Sequence, residues 1–169
     1  MSITATANIE NDLNFTLIQV GSNAQNESAG LGYSASLTNG TGSLQINYGA
    51  ISSGALPSGG KLYFDMQAFE KSVFGTTASI NFSTIKSLVV ENRETTFTYD
   101  INIHATGGTA LTEPWNGGSG NQLIKPYAAW QYSDPMSGVT VDGSNNQFTL
   151  QDVSGSGANY TVVVVGITG

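Results

Sequence analysis

The feature that most constrains this chain is its punctuation. Clusters of Gly, Asn, Ser, Asp and Pro cut the 169 residues into runs of four to ten residues, spaced about ten residues apart, as in sandwiches and barrels. Within most runs apolar and polar residues alternate with a period of two, the spacing of a half-buried strand. No segment has the length or periodicity of a crossover helix, so a parallel α/β architecture is excluded. The expected fold is all-β: a single antiparallel β-sandwich over residues 1–169, of jelly-roll type if eight of the strands are principal.

The stretch from Gly59 to His104 is the densest in structural signals. Lys61 to Phe64 places Leu62 and Phe64 on one face of a strand. Asp65, followed by Met66, Phe69 and Val73 at spacings of three and four, reads as an N-cap opening one short helix over Asp65–Phe74, with Gly75 to end it. Ile85 to Val90 is a run of large apolar residues expected of a covered strand. Thr95 to His104 alternates Phe97, Tyr99, Ile101 and Ile103 against polar residues and predicts a long strand.

On the N-terminal side, Ser2 to Ile9 is a weakly hydrophobic strand, an edge or an arm reaching a neighbour. Leu13 to Val20 is a second strand, and Gly21 to Gly32 reads as loop. Asn39-Gly40 between Tyr33–Thr38 and Ser43–Tyr48 predicts a hairpin. On the C-terminal side, Leu123 to Tyr127 is a strand that Pro126 ends or confines to an edge, and Trp130 to Gly138 reads as loop. Gln147–Val153 and Asn159–Thr168 read as a terminal hairpin.

Charged residues make up only 10% of the chain, so hydroxyls and amides keep it soluble. Twelve acids against five scattered bases give a net charge of −7, which argues against a nucleic-acid partner and against an anionic membrane surface. Without cysteine there is no disulfide or thiolate site, and the core must stand on packing. No basic and apolar signal pattern precedes Ala5, and no apolar run is long enough to span a membrane.

No constellation for catalysis stands out, and no cofactor or metal is expected. His104 is the single histidine; it falls on the polar phase of its strand and reads as a surface or interface residue rather than a triad member. Asp100, Glu113 and Asp134 supply carboxylates for glycoside chemistry, but nothing in their spacing selects a pair. Asp142 to Asn146 has oxygen ligands in a turn, which an ordinary Asx turn explains. Gly117–Gly120 and Gly155–Gly157 do not lead from a strand into a helix and so are hairpin loops, not phosphate loops. Trp115, Tyr127, Trp130 and Tyr132 cluster in a turn-rich region. They serve as sugar-stacking aromatics, as seals of one end of the sandwich, or as a subunit interface. With Ile3 and Ala5 of the N-terminal strand, they are the expected contact surface.

Several motifs are similar to those of known proteins. Leu37-Thr38-Asn39-Gly40-Thr41-Gly42, the turn Pro57-Ser58-Gly59-Gly60, Asp65 to Phe69 and Val73-Phe74-Gly75 form one set. The run Phe82 to Asn92 and the ending Gln147–Leu150 with Asn159–Gly166 form the other. Together they resemble small β-sandwich virion structural proteins of tailed bacteriophages. The resemblance implies a non-enzymatic capsid decoration or cement protein on the virion exterior, a homotrimer whose partner is the major capsid protein. The other reading is a carbohydrate- or receptor-binding module of a phage tail or fibre.

Overall fold

The computed structural model describes residues 7–18, 26–73, 76–105, 110–111 and 121–169. In chain order the strands are β1 (Ala7–Ile18), β2 (Asn26–Asn39), β3 (Gln45–Ile46), β4 (Tyr48–Ala55), β5 (Lys61–Asp65), β6 (Phe69–Val73) and β7 (Thr76–Ile80). They continue as β8 (Phe82–Asn92), β9 (Ile101–His104), β10 (Asn121–Ile124), β11 (Ala129–Ser133), β12 (Val139–Thr140), β13 (Gln147–Asp152) and β14 (Asn159–Thr168). None of the described residues is helical.

Two four-stranded arrays carry the body, in the orders β11-β8-β14-β4 and β10-β9-β13-β5, with β12 added to β8. Every pairing within them is antiparallel. The chain crosses between the arrays at almost every connection, β4 to β5 to β8 to β9, stays for β10, then runs β11, β13, β14. That interleaving is the jelly roll. The alternating sequences dictate the facing rows. Leu88, Val90, Val162 and Val164 from one array and Ile101, Ile103, Phe148 and Leu150 from the other are all at most 1% exposed, each worth about 1.5–3 kcal/mol of burial.

Several expectations are corrected. Asp65–Phe74 is not helical: Asp65 caps a tight turn, its Oδ1 accepting the Gln67 N–H at 2.8 Å, and β6 follows at once. Met66 explains why. Its carbonyl accepts the Phe82 N–H at 2.9 Å, so it is not left for a helical ladder, and its N–H donates to the Asn146 carbonyl at 2.8 Å, which fixes the turn against the next connection. Phe74 itself lies outside the described residues. The Asn39-Gly40 turn is not a hairpin: β2 and β3 run parallel, Thr38 beside Gln45 and Asn39 beside Ile46. Leu44, at a φ of 54°, turns the chain back, its carbonyl accepting the Thr38 N–H and its N–H donating to Pro135. Within the expected loop of residues 21–32, the described part from Asn26 onward belongs to β2, and within that of residues 130–138, Trp130 to Ser133 belong to β11. Finally, β13 and β14 lie in different arrays rather than forming a hairpin.

The long strand expected over Thr95–His104 shrinks to β9, because residues 93–100 are held as a loop by the buried Asn92. Its Nδ2 donates to the carbonyls of Tyr99 at 2.7 Å and Ile124 at 3.0 Å, and its Oδ1 accepts the Glu94 N–H. At the opposite side of β8 the register slips between Val165 and Gly166, leaving Lys86 as the bulged residue. A Cβ on Gly166 would stand 2.2 Å from the Thr84 carbonyl oxygen, so the bulge requires glycine there.

Phe148→Ala empties a fully buried site and is expected to cost about 3–5 kcal/mol in urea unfolding. Phe97→Ala, at a ring 83% exposed, is expected to leave the unfolding midpoint almost unchanged.

Candidate functional site

Four connections gather at one end of the sandwich: residues 56–60, 93–100, 125–128 and 153–158. Backbone hydrogen bonds join them. Leu56 donates to Ala158 at 2.8 Å, Val153 to Asp100 at 3.2 Å, Asn92 to Ala128 at 2.9 Å and Arg93 to Asn159 at 2.9 Å. A salt bridge from Lys125 Nζ to Asp100 Oδ2, 2.6 Å long, ties the second loop to the third.

The fourth loop is built around Asp152, whose side chain is 1% exposed. Its Oδ2 accepts the N–H groups of Gly59 at 2.7 Å and Gly157 at 2.8 Å, and its Oδ1 accepts the Ser154 N–H at 2.9 Å and the Ser154 hydroxyl. Burial alone would push this carboxyl up. The hydrogen bonds from Ser154, Gly59 and Gly157 outweigh it and hold the group down at about 2. The loops are therefore a preorganised platform.

On this platform stand two exposed rings. Tyr127, 67% exposed, and Phe97 lie with centroids 6.3 Å apart at 55°. Tyr127 sits at the third position of the turn Lys125-Pro126-Tyr127-Ala128, closed by Ala128 N–H to the Lys125 carbonyl at 3.0 Å. Its φ is 61°. Proline second and a positive φ third define a type II turn, in which glycine normally occupies the third place. A bulky residue in left-handed backbone is strained by about 1–2 kcal/mol, and such strain concentrates at sites of function.

Of the expected contact residues that are described, Tyr127 is the most exposed. Trp130 and Tyr132 pair with Val90 and Leu88 on β8 and pack, half-buried, against the core. They seal the sandwich. Ile3, Ala5 and Trp115 lie outside the described residues. In sequence Phe97 reads as a strand residue; what places it in a loop is the Asn92 anchor, which is visible only in three dimensions.

The remaining candidates separate. Asp100 is engaged by Lys125 at the loop end, whereas Asp134 caps Met136 and Ser137 beside Lys86, beyond the other end of β11. These two form no dyad, and Glu113 is outside the described residues. Asp142 Oδ1 accepts both the N–H and the hydroxyl of Ser144 at 2.8 Å, which pulls its carboxyl down and accounts for it as an Asx turn. The loop 155–157 belongs to the Asp152 cage, and residues 117–120 are not described. His104 is buried rather than at the surface, 6% exposed; burial and the Lys61 ammonium push it down, toward the neutral form. Lys86 is buried too, its Nζ donating to the carbonyls of Met136 at 2.8 Å and Ser137 at 3.0 Å. Burial pushes its ammonium down against the pull of Asp134. A cleft of about 400 Å³ opens between the edge strands β4 and β5, lined by Leu62, Tyr63, Phe64, Phe69 and Tyr160, with Asp65 and Glu70 beside them.

Fold and site together define a jelly-roll sandwich that presents an aromatic pair on a braced loop end. No family model matches the chain, and no curated protein matches it. Among solved structures it is similar to the crystal structure of the Yersinia pseudotuberculosis-derived mitogen (YPM). The identity is 13% over 72% of this chain and 87% of that one, with a TM-score of 0.37.

Because the Asp152 carboxyl is depressed in the folded state, its contribution is present above the unfolded value near 3.9 and is lost as pH falls through about 2. It amounts to about 2 kcal/mol. Asp152→Asn is expected to remove that contribution at pH 7 and to flatten the acid limb of stability between pH 4 and 2, as followed by denaturant unfolding across pH.

Proposed function

We propose that this chain is a structural protein of a tailed-bacteriophage virion: a capsid decoration, or cement, protein seated as a homotrimer on the outer face of the major capsid protein lattice. The motifs at Leu37–Gly42, Phe82–Asn92 and Asn159–Gly166 support it, as does an acidic body with only five bases, unsuited to packaged DNA. The observation that carries the reading is the Phe97–Tyr127 pair. Exposed aromatics on a rigid scaffold bind without an ordering cost, and aromatic residues dominate interface energetics. A cement protein stabilises by mass action: its binding energy is lost if the shell opens.

The same pair favours a second reading, a carbohydrate- or receptor-binding module of a tail or fibre, since sugar rings stack on exposed aromatic faces. Trp130, half-buried against the core, is the weaker candidate for such stacking. The two readings are separated by what the aromatic pair binds.

Purified protein is expected to co-sediment with capsid shells stripped of decoration, and Phe97→Ser with Tyr127→Ser to weaken that binding at least tenfold. Tyr127→Gly should weaken it as well while raising stability by about 1 kcal/mol, because glycine relieves the left-handed backbone. Shell binding unaffected by these changes, or a glycan-array signal that vanishes with Tyr127→Ala while shells are ignored, would sink the cement assignment.

A further inference from the structure

The cleft between the edge strands β4 and β5 has a cause in the sequence. Ala50, Ser52 and Gly54 of β4 lie opposite Val164, Val162 and Tyr160 of β14 and so share their inward face. Their side chains are too small to reach across to β5. The space left over is the cleft of about 400 Å³, walled by Leu62, Phe64 and Phe69.

Three polar groups line this apolar space. Tyr160 is 6% exposed, and its hydroxyl has no hydrogen-bond partner among the described residues. A Cβ on Gly54 would stand 3.2 Å from that hydroxyl oxygen, so the residue opposite is the one type that adds no side chain beside it. Buried hydroxyls are normally hydrogen-bonded, and one left unpartnered in a cleft marks the place of an outside polar atom. The other two groups are the carboxylates of Asp65 and Glu70. Asp65 Oδ1 accepts the Gln67 N–H, and neither carboxylate is ion-paired among the described residues. None of the described lining residues is basic, since Arg93 lines a separate recess with Ser53 and Asn159.

These groups select a ligand by its chemistry. Three acceptors, two of them anionic, call for a cation with several N–H groups to donate; a quaternary ammonium has none, and an anion is repelled. The apolar walls call for a hydrocarbon stem. Tyr63, 60% exposed and also lining the cleft, offers a ring face that attracts a cation. A neutral sugar can hydrogen-bond to the same acceptors, yet it leaves both negative charges unbalanced. We propose that the cleft binds a primary alkylammonium, its charge held by Asp65 and Glu70, its N–H groups satisfying the Tyr160 hydroxyl as well, and its stem lying against Leu62, Phe64 and Phe69. A free amine and a lysine side chain offered by another protein both carry this chemistry. The site is independent of the Phe97–Tyr127 pair and of either reading of that pair.

Titration of the full chain with n-pentylamine at pH 7, followed by two-dimensional ¹H–¹⁵N NMR, is expected to shift the amides of Leu62, Phe69 and Glu70. Its affinity should exceed that of 1-pentanol, the same stem without the charge, at least tenfold. Glu70→Gln and Asp65→Asn, whose amide oxygen can still cap the turn, should together weaken amine binding at least tenfold. Glu91→Gln, which removes an equal charge outside the cleft, should not change it. Tyr160→Phe should weaken binding of the amine and leave that of the alcohol unchanged. Nα-acetyl-lysine N-methylamide separates the sources: binding as tight as that of pentylamine assigns the cleft to a lysine side chain, weaker binding to a free amine. Glu70 is exposed, so Glu70→Gln alone, with a loss of at least threefold, keeps the test decisive if Asp65→Asn fails to fold. No response to pentylamine, equal binding of the alcohol, an equal loss in Glu91→Gln, or cleft shifts produced by glucose and not by the amine would overturn the proposal.

Discussion

Six aromatic rings form the seam on which the sandwich depends. Phe148 stacks on Phe64 with centroids 4.9 Å apart, Phe64 meets Tyr160 edge-on at 5.7 Å and Phe69 at 6.1 Å, Phe69 meets Phe82 at 6.2 Å, and Phe82 meets Tyr48 at 6.4 Å. The seam starts on β13 and β5, passes through β6 and ends on β8, β14 and β4, so it joins both arrays through the β6–β7 hairpin. With no cysteine to fasten the layers, this is where interlayer cohesion concentrates, and each offset or edge-on pair adds about 0.5–1.5 kcal/mol beyond its burial. It also explains the placement of the hairpin. Phe69 is 1% exposed, and drawing its ring into the seam requires β6 to lie along the open side between the two edges.

The loop end solves a different problem with different means. A chain only 10% charged cannot brace its loops with ion networks, and it uses two buried polar side chains instead. Asn92 and Asp152 each satisfy three backbone groups or more from neighbouring loops. Bonds of this kind gain strength from low local dielectric, and the backbone groups they engage would otherwise be buried without partners. The stiffness they confer is what allows Tyr127 to be kept in left-handed backbone: a looser turn would relax, and the ring would leave Phe97.

What was legible in the sequence follows the same division. β5, β8, β13 and β14 are readable because their burial is one-sided or complete and local periodicity reports it directly. Eight principal strands and the jelly roll follow from their number. Asp65–Phe74 looks helical because Met66, Phe69 and Val73 have helical spacing by coincidence, while the real determinant is the use of Met66 backbone groups by Asn146 and Phe82, 80 and 16 residues away. Asn39-Gly40 carries a genuine local hairpin preference, overridden by the pairing of Leu44 with Pro135. Trp130 and Tyr132 stand out in the sequence as aromatics of a turn-rich stretch, but their direction depends on the register with β8. Lys86 and His104 are buried against their type, and no periodicity announces a bulge. Composition draws attention to Tyr127, whereas the proximity of Phe97 to it is a tertiary fact.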